Sequence, residues 1–307
     1  MEMRKMYAQT IEQIAKADPN VFVLEADLSN AIATQSLKQT LAHQYINLGI
    51  MEANMMGVAA GISVAGGVCF VHTFGQFATR RAFDQIFVSL AYAKQHVVIV
   101  GSDAGVSAEH NGGTHMCFED TGLMRLVPHA HIYDVADEYQ LAYLLKKAYK
   151  TKGVHYLRIM RKQADVIYTE QDTFENGSKV LRQGTDVTCI ANGICLSTLL
   201  QVADELTKDN ISVEVIDCYR LKPLDTQTII TSAQKTNLVI TCENHNVIGG
   251  LGSAVAETLS QHCPTKLIRL GVQEQFGQVG KLDYLKQYYH IDTQHIIDTI
   301  RQAIQTK

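Results

Sequence analysis

Short apolar runs alternate with helix-like stretches along the whole 307-residue chain, and this alternation constrains the fold more than any other feature. The runs are rich in β-branched residues and have the length of buried strands. They lie at Val21–Glu25, Cys69–His72, Val97–Val100, Tyr156–Ile159, Val187–Ile190, Val213–Ile216, Leu238–Thr241 and Leu267–Leu270. Strands separated by helices require right-handed crossovers, so the pattern predicts parallel sheets.

Amphipathic stretches between these runs predict the helices. They lie near residues 4–17, 52–64, 79–93, 137–150, 196–208, 225–236 and 249–262. The polar stretch 162–185 is the predicted boundary between two units. We therefore predict an α/β protein of two domains, residues 1–168 and 169–307, each with a mainly parallel sheet flanked by helices.

The composition excludes several classes of partner. A net charge of −4 with 19% charged residues gives no basic footprint for nucleic acid or an anionic membrane. The start of the chain lacks the apolar core of a signal peptide, and its apolar stretches are too broken to span a membrane. Seven scattered cysteines without a Cys-x-x-Cys pair indicate reduced thiols and no zinc site. We expect a cytoplasmic protein.

Glu52 is the one formally charged residue between Lys38 and Arg80. Its neighbours are small and apolar, and an ionised carboxylate buried among them costs several kcal/mol unless it is paired. Glu52 therefore has a partner elsewhere, or it keeps its proton as part of a function.

The helix predicted after Glu52 carries small residues along one side, at Gly57, Ala60, Gly61 and Ala65. Small residues at this spacing allow another backbone to approach closely. Tight packing within one subunit and a subunit interface are equally compatible with the pattern.

Two phenylalanines follow the second predicted strand. Phe74 and Phe77 lie where open parallel sheets bind ligands, and their rings could stack on a flat molecule. Packing in the core is the ordinary alternative for such a pair.

A long polar loop, Gly101–His115, follows the strand that ends at Val100. It combines four glycines with titratable groups, which is typical of a substrate site. His115 could exchange a proton with a substrate oxygen or could cap a turn, whereas His110 fits a structural role better.

Three arginines are candidates for holding a phosphate. Arg158 and Arg161 lie on or just after a strand, and Arg4 lies on the first helix. Gly249-Gly-Leu-Gly252 resembles a phosphate-binding turn only superficially, because it lacks the dinucleotide fingerprint, and we interpret it as a helix entry.

The order of several motifs resembles the carboxyl-terminal half of a transketolase, namely its pyrimidine-binding and C-terminal domains. The motifs are Ala26-Asp27-Leu28, Leu48-Gly-Ile-Met-Glu52, Thr73-Phe-x-x-Phe-Ala-Thr79, Gly112-Gly-Thr-His115, Leu157-Arg-Ile-Met-Arg161 and Asp217-Cys-Tyr-Arg-Leu-Lys-Pro-Leu-Asp225. The resemblance extends over essentially the whole chain.

This resemblance implies thiamine diphosphate as the cofactor and gives Glu52 a chemical task. An acid hydrogen-bonded to the pyrimidine nitrogen N1′ favours the imino form of the cofactor. By the same resemblance Phe74 and Phe77 stack on the pyrimidine, and Ile50 and Asp27 belong to the cofactor site. His115 contacts oxygens of the sugar. Arg161 and Arg4, with Arg158 as a further candidate, bind the substrate's phosphate.

The resemblance also implies a partner. The family holds the diphosphate and Mg²⁺ through a motif that begins Gly-Asp-Gly, and this chain contains no Gly-Asp-Gly. A separately encoded amino-terminal subunit is therefore expected to hold the metal, in an α2β2 assembly, and this chain itself holds none.

Two departures from the family pattern concern the donor sugar. Asp103 replaces a histidine, and Asn111 replaces an aspartate, at positions that contact sugar hydroxyls in the family. We expect an atypical ketose phosphate such as apulose 4-phosphate as donor and glyceraldehyde 3-phosphate as acceptor. The alternatives are a 2-oxo acid dehydrogenase β subunit, a deoxyxylulose-phosphate-synthase-like enzyme or a non-catalytic stabilising subunit.

Overall fold

The predicted alternation of strands and helices is present throughout the structure, a computed structural model that describes residues 1–307. The strands are β1 Val21–Glu25, β2 Tyr45–Asn47, β3 Val68–Phe74, β4 Val97–Ser102, β5 His131–Asp134, β6 Val154–Ile159, β7 Lys179–Arg182, β8 Val187–Ala191, β9 Val213–Asp217, β10 Arg220–Lys222, β11 Leu238–Asn246 and β12 Lys266–Val272. Every predicted strand forms. The four additional strands are short and rich in polar residues, so no apolar run in the sequence predicts them.

Six of the seven predicted helices form, and five further helices, among them the one at Thr293–Gln305, were not predicted. The helices are α1 Met3–Ala17, α2 Leu37–Thr40, α3 Glu52–Val64, α4 Gly75–Ala78, α5 Phe83–Gln85, α6 Asp120–Arg125, α7 Glu138–Lys150, α8 Cys195–Thr207, α9 Thr226–Thr236, α10 Leu251–His262, α11 Leu282–Tyr288 and α12 Thr293–Gln305. The helix predicted over residues 79–93 is wrong as a single element. Its chain forms a 3₁₀ turn at Arg80–Ala82, then α5, then a π-helix at Ile86–Tyr92.

Contacts divide the chain into two units. The first comprises Met1–Ala104 and Leu123–Thr173, and the second comprises Gly105–Gly122 and Phe174–Lys307. The loop from Gly105 to Gly122 therefore makes its contacts within the second unit. The domain boundary between residues 168 and 169 stays a prediction.

The sheet of the first unit is parallel, with the strand order β2-β1-β3-β4-β6-β5. In its register Glu25 lies beside His72, and Phe74 lies beside Ser102. Because the carboxyl ends of parallel strands share one edge, residues that directly follow β1, β3, β4 and β6 are gathered there. This edge carries the candidate site.

A fully buried polar network ties these strands together. His72 Nδ1 lies 2.8 Å from Glu25 Oε2, and His72 Nε2 lies 2.9 Å from Ser102 Oγ. The second oxygen of Glu25 accepts a 2.8 Å hydrogen bond from the Thr34 hydroxyl. The carboxylate of Glu25 is thus satisfied inside the protein, which is what its burial requires.

The second unit contains a sheet with the order β12-β11-β8-β9-β7, in which only β7 pairs antiparallel. At the start of α10 the buried carboxylate of Glu243 accepts hydrogen bonds from the amides of Leu251 (2.6 Å) and Gly252 (2.7 Å). A Cβ at Gly250 would clash with this carboxylate. A protein carboxylate fills the anion position at this helix end, so the interpretation of the glycine run as a helix entry is confirmed.

No helix in the structure combines the length and the apolar character needed to cross a membrane. Six of the seven cysteines are buried, and none is in a disulfide. Burial raises the pKa of the Cys69 and Cys189 thiols to about 12, so both behave as small core residues.

The first unit also contains a stacked histidine cluster, which gives a pH prediction. The ring of His155 is stacked with that of His131 (centroids 4.6 Å apart) and lies nearly parallel to that of Tyr133 (6.2 Å). Burial, and then the neighbouring His131, lower the pKa of His155 from 6.5 to about 3. Between pH 6.5 and about 3, His155 is therefore protonated in the unfolded chain and neutral in the folded chain.

We expect folding stability to be lost as the pH falls from about 6.5 towards 3, with a slope of up to about 1.4 kcal/mol per pH unit from His155. Urea unfolding at several pH values measures this slope. The His155→Gln variant should show a flatter dependence. An equal slope in the variant and the parent would contradict the assignment.

Candidate active site

Glu52 is the first residue of α3, and only 2% of its surface is exposed. Its two oxygens lie 2.8 and 2.9 Å from Nη1 of Arg81, which donates to both. The position at a helix amino terminus also favours a carboxylate. The structure thus supplies the partner that the sequence required for Glu52. Sequence reasoning missed Arg81, although it follows closely after the two phenylalanines.

The guanidinium of Arg81 also lies over an aromatic ring. Its Cζ is 3.8 Å from the centroid of the Phe77 ring. Phe77 in turn contacts Phe74, with the ring centroids 6.3 Å apart and inclined by 42°. Phe74 is buried and Phe77 is half-buried. The structure therefore brings Glu52 and both predicted aromatic residues to one place.

Asp103 and Arg161 form a second ion pair at the same sheet edge. Nε and Nη2 of Arg161 each lie 2.5 Å from Oδ2 of Asp103, and the backbone amide of Arg161 lies 3.3 Å from Oδ1. The Arg161 guanidinium lies 5.1 Å from the Phe74 ring centroid. Asp103 is buried and has a left-handed backbone (φ 52°). Its carboxylate is thus directed at the arginine predicted to bind phosphate.

Arg4 joins this group through its backbone. Its amide donates to the carbonyl of Arg161 (3.1 Å), while its guanidinium contacts the Glu2 carboxylate (3.0 Å) and the Ala31 carbonyl (3.4 Å). Arg158 is different, because only 2% of it is exposed and it pairs with Asp134 at 3.1 Å. This burial favours a structural role for Arg158 over phosphate binding.

Asp27 lies at the carboxyl end of β1, in a left-handed conformation (φ 61°) that its backbone hydrogen bond to Asn47 holds. It lines a polar cavity of about 330 Å³. The other lining residues are Ser29, Asn30, Gln35, Lys38, Tyr45 and Asn47.

Ile50 is 71% exposed, and its neighbour Met51 is also exposed. An apolar side chain in this position needs a further surface to enclose it. Its predicted place in a cofactor pocket therefore depends on a second surface.

The predicted loop residues His115 and Asn111 belong to the second unit. His115 is half-buried, with Nδ1 2.9 Å from the Thr114 hydroxyl, while Asn111 and His110 are exposed. The loop is held by the Asn244 side chain, which accepts from the Val106 amide at 2.8 Å. The catalytic role of His115 stays a prediction.

The residues of the first unit fit the pyrimidine half of thiamine diphosphate. A planar, nitrogen-bearing group, the Arg81 guanidinium, already lies on Phe77 while it donates to Glu52. A ring nitrogen stacked in that position would meet the same acid and the same aromatic face. The structure groups no three His, Cys, Asp or Glu side chains that could hold a metal ion.

Comparison with known proteins agrees with this geometry. The transketolase pyrimidine binding domain matches residues 1–165, and the transketolase C-terminal domain matches residues 177–296. A solved structure described as a split gene transketolase, an inactive β4 tetramer, superposes with a TM-score of 0.90 at 35% identity, covering 99% of this chain and 98% of that one.

Three curated relatives illustrate the similarity. The 6-deoxy-6-sulfo-D-fructose transketolase subunit SqwH of Clostridium sp. (strain MSTE9) is 40% identical, over 99% of this chain and 95% of the relative. A putative transketolase C-terminal section of Methanocaldococcus jannaschii is 35% identical, over 98% and 96%. The human transketolase-like protein 2 is 34% identical over 97% of this chain, which spans 48% of the human protein.

The fold and both domains define a transferase of the thiamine-diphosphate-binding type, and the chain belongs to the transketolase family. Within that family it corresponds to the carboxyl-terminal half of a split transketolase, as the resemblance predicted.

Proposed function

We propose that the chain is the pyrimidine-binding subunit of a heteromeric transketolase, which moves a two-carbon ketol unit between sugars. The observation that carries the proposal is the buried acid Glu52, whose partner Arg81 lies over the face of Phe77. Thiamine diphosphate, when bound, supplies the nucleophilic carbon that adds to a ketose carbonyl.

In this proposal Glu52 holds a proton at the pyrimidine nitrogen N1′, and burial keeps water from competing for that proton. Phe74 and Phe77 orient the ring, while Ile50 and Asp27 border the cofactor. His115 exchanges protons with oxygens of the sugar.

The surface around α3 supports a partner subunit. Gly57 and Gly61 are exposed, and apart from the adjoining backbone of the helix no atom lies within 4 Å of the position that a Cβ would take on either residue. Tight packing within the chain therefore does not account for the two glycines of this helix, although Ala60 is buried. Exposed apolar side chains flank them at Ile50, Met51 and Val64, and a patch of this kind suits a protein interface.

We propose that the covering partner is a separately encoded amino-terminal subunit that holds the diphosphate and Mg²⁺, in an α2β2 assembly in the cytoplasm. The motif for that half of the cofactor begins with Gly-Asp-Gly, which this chain lacks. The inactive β4 assembly of the similar split transketolase agrees with a requirement for a second kind of subunit.

The ion pair between Asp103 and Arg161 bears on the donor sugar. A carboxylate that takes up two donors of Arg161 weakens the site for a dianionic phosphate. Apulose 4-phosphate remains the donor proposed from the sequence. A monoanionic sulfonated ketose is a second candidate, because the Clostridium relative is named for 6-deoxy-6-sulfo-D-fructose.

Replacing Asp103 by asparagine should free Arg161 without straining the left-handed backbone, which asparagine tolerates. We expect the ratio of kcat/KM for a phosphorylated donor to that for a sulfonated donor to rise about tenfold, or ~1.4 kcal/mol. The exposed Asp165→Asn variant is the matched control. An unchanged ratio would remove Asp103 from donor selection.

The reconstituted pair tests the proposed function. The chain is co-expressed with an amino-terminal subunit that carries the Gly-Asp-Gly motif, and ketol transfer to glyceraldehyde 3-phosphate is measured for xylulose 5-phosphate, apulose 4-phosphate and a sulfonated ketose. We expect transfer only with both subunits and preference for one unusual donor. Comparable turnover of all donors would refute an atypical donor, and turnover of a 2-oxo acid alone would favour the dehydrogenase alternative. A pair that forms without any turnover would favour the stabilising-subunit alternative.

A further inference from the structure

The Arg81 side chain occupies the two groups that the proposed cofactor ring would contact, the Glu52 carboxyl group and the face of Phe77. Arg81 donates to each oxygen of Glu52, and its Cζ lies 3.8 Å from the centre of the Phe77 ring. That separation is a full stacking contact. A second planar group cannot lie on the same face of Phe77 while the guanidinium is there.

The chemistry of the acid leads to the same conflict. Both oxygens of the Glu52 carboxyl group accept hydrogen bonds from Nη1 of Arg81, at 2.8 and 2.9 Å. A residue that must place a proton at a ring nitrogen has to leave that arrangement. The ion pair and the proposed catalytic state of Glu52 are therefore alternative states of the same residue.

The Arg81 side chain has access to solvent, because 44% of it is exposed, whereas Glu52 is buried. The arginine can rotate into solvent without unfolding any element of the core. The break in the helix predicted over residues 79–93 places Arg81 in a short 3₁₀ turn, outside α5 and the π-helix.

We propose that Arg81 is a placeholder for the cofactor pyrimidine. In the chain without cofactor it neutralises Glu52 and covers Phe77, and it is displaced when the ring binds. The inference rests on the proposed function, since it assumes that Glu52 and Phe77 form the pyrimidine site. It adds that cofactor binding competes with an ion pair of this chain.

Because the pyrimidine binds only the molecules in which Arg81 has left the site, its apparent affinity is the intrinsic affinity multiplied by the fraction of those molecules. The Arg81→Ala variant should therefore bind the pyrimidine more tightly than the parent. The probe is 4-amino-5-hydroxymethyl-2-methylpyrimidine, titrated by NMR into the full chain alone, so that the partner's diphosphate site does not contribute. We expect about tenfold tighter binding in Arg81→Ala. The matched control Arg80→Ala removes the neighbouring exposed arginine and should leave the affinity at the parent value.

Thermal unfolding of the same chains provides a second readout. Arg81→Ala should lower the melting temperature by ~3 °C, because Glu52 loses the counterion of its buried carboxylate. Adding Glu52→Gln to Arg81→Ala should restore most of the loss, since no charge is then left unpaired.

The outcomes separate the inference from the proposed function. If Arg81→Ala binds the pyrimidine no more tightly than the parent does, the placeholder role of Arg81 is overturned. If the parent binds the pyrimidine and Glu52→Gln does not, the proposed pyrimidine site stands without that role. If the pyrimidine binds the parent and Glu52→Gln equally, the pyrimidine site itself is refuted.

Discussion

Replacing Glu52 by glutamine is expected to lower ketol transfer by the reconstituted pair by about 10²- to 10⁴-fold, the range that a positioned acid or base contributes. Glutamine keeps the shape of the side chain but cannot place an acidic proton at a ring nitrogen. The measurement is the rate of transfer at saturating donor, with assembly checked by gel filtration.

Assembly should stay intact in Glu52→Gln, because the substitution removes a charge without changing the volume of a buried side chain. The exposed Glu205→Gln serves as the control for loss of a carboxylate elsewhere. Unaffected turnover in Glu52→Gln would refute the role of this acid. Loss of assembly together with activity would indicate a structural role.

The second large effect concerns stability. His72→Leu should lower the free energy of unfolding by about 3–5 kcal/mol, because it leaves the fully buried Glu25 carboxylate without its histidine partner. The Thr34 hydroxyl alone then satisfies that carboxylate. Denaturant unfolding of the cofactor-free chain measures the loss.

A double substitution sharpens this test. Replacing Glu25 and His72 together by leucine removes the unpaired charge, so it should cost less than His72→Leu alone. The exposed His43→Leu is the control and should change stability by less than about 0.5 kcal/mol. A loss below about 1 kcal/mol in His72→Leu would show that the network is not structurally important.

Much of the fold could be predicted from the sequence because its central strands are continuous apolar runs, such as Val97–Val100. The edge strands β2 and β7 carry polar residues, so periodicity gave no signal for them. The broken helix over residues 79–93 could not be predicted either. In the structure Arg81, which lies in the 3₁₀ turn of this stretch, pairs with Glu52 on another helix.

One part of the candidate site, Glu52, could be predicted because a charged side chain in an apolar, buried segment needs a partner or a function. Glu52 is a lone charge among apolar residues, and the structure links it through Arg81 to Phe77, which contacts Phe74. The ion pairs of the site were not predictable. Asp103 and Arg161 are far apart in the sequence, and only the parallel pairing of β4 with β6 brings them together. Burial of Arg158 depends on the same packing.

A structure of the assembled enzyme with thiamine diphosphate would show whether the pyrimidine ring lies between Glu52 and Phe77. We expect the pyrimidine nitrogen N1′ within about 3.2 Å of the Glu52 carboxyl group, with the ring on Phe77 and Arg81 turned away into solvent. A pyrimidine ring bound elsewhere, with Glu52 still paired to Arg81, would contradict this expectation.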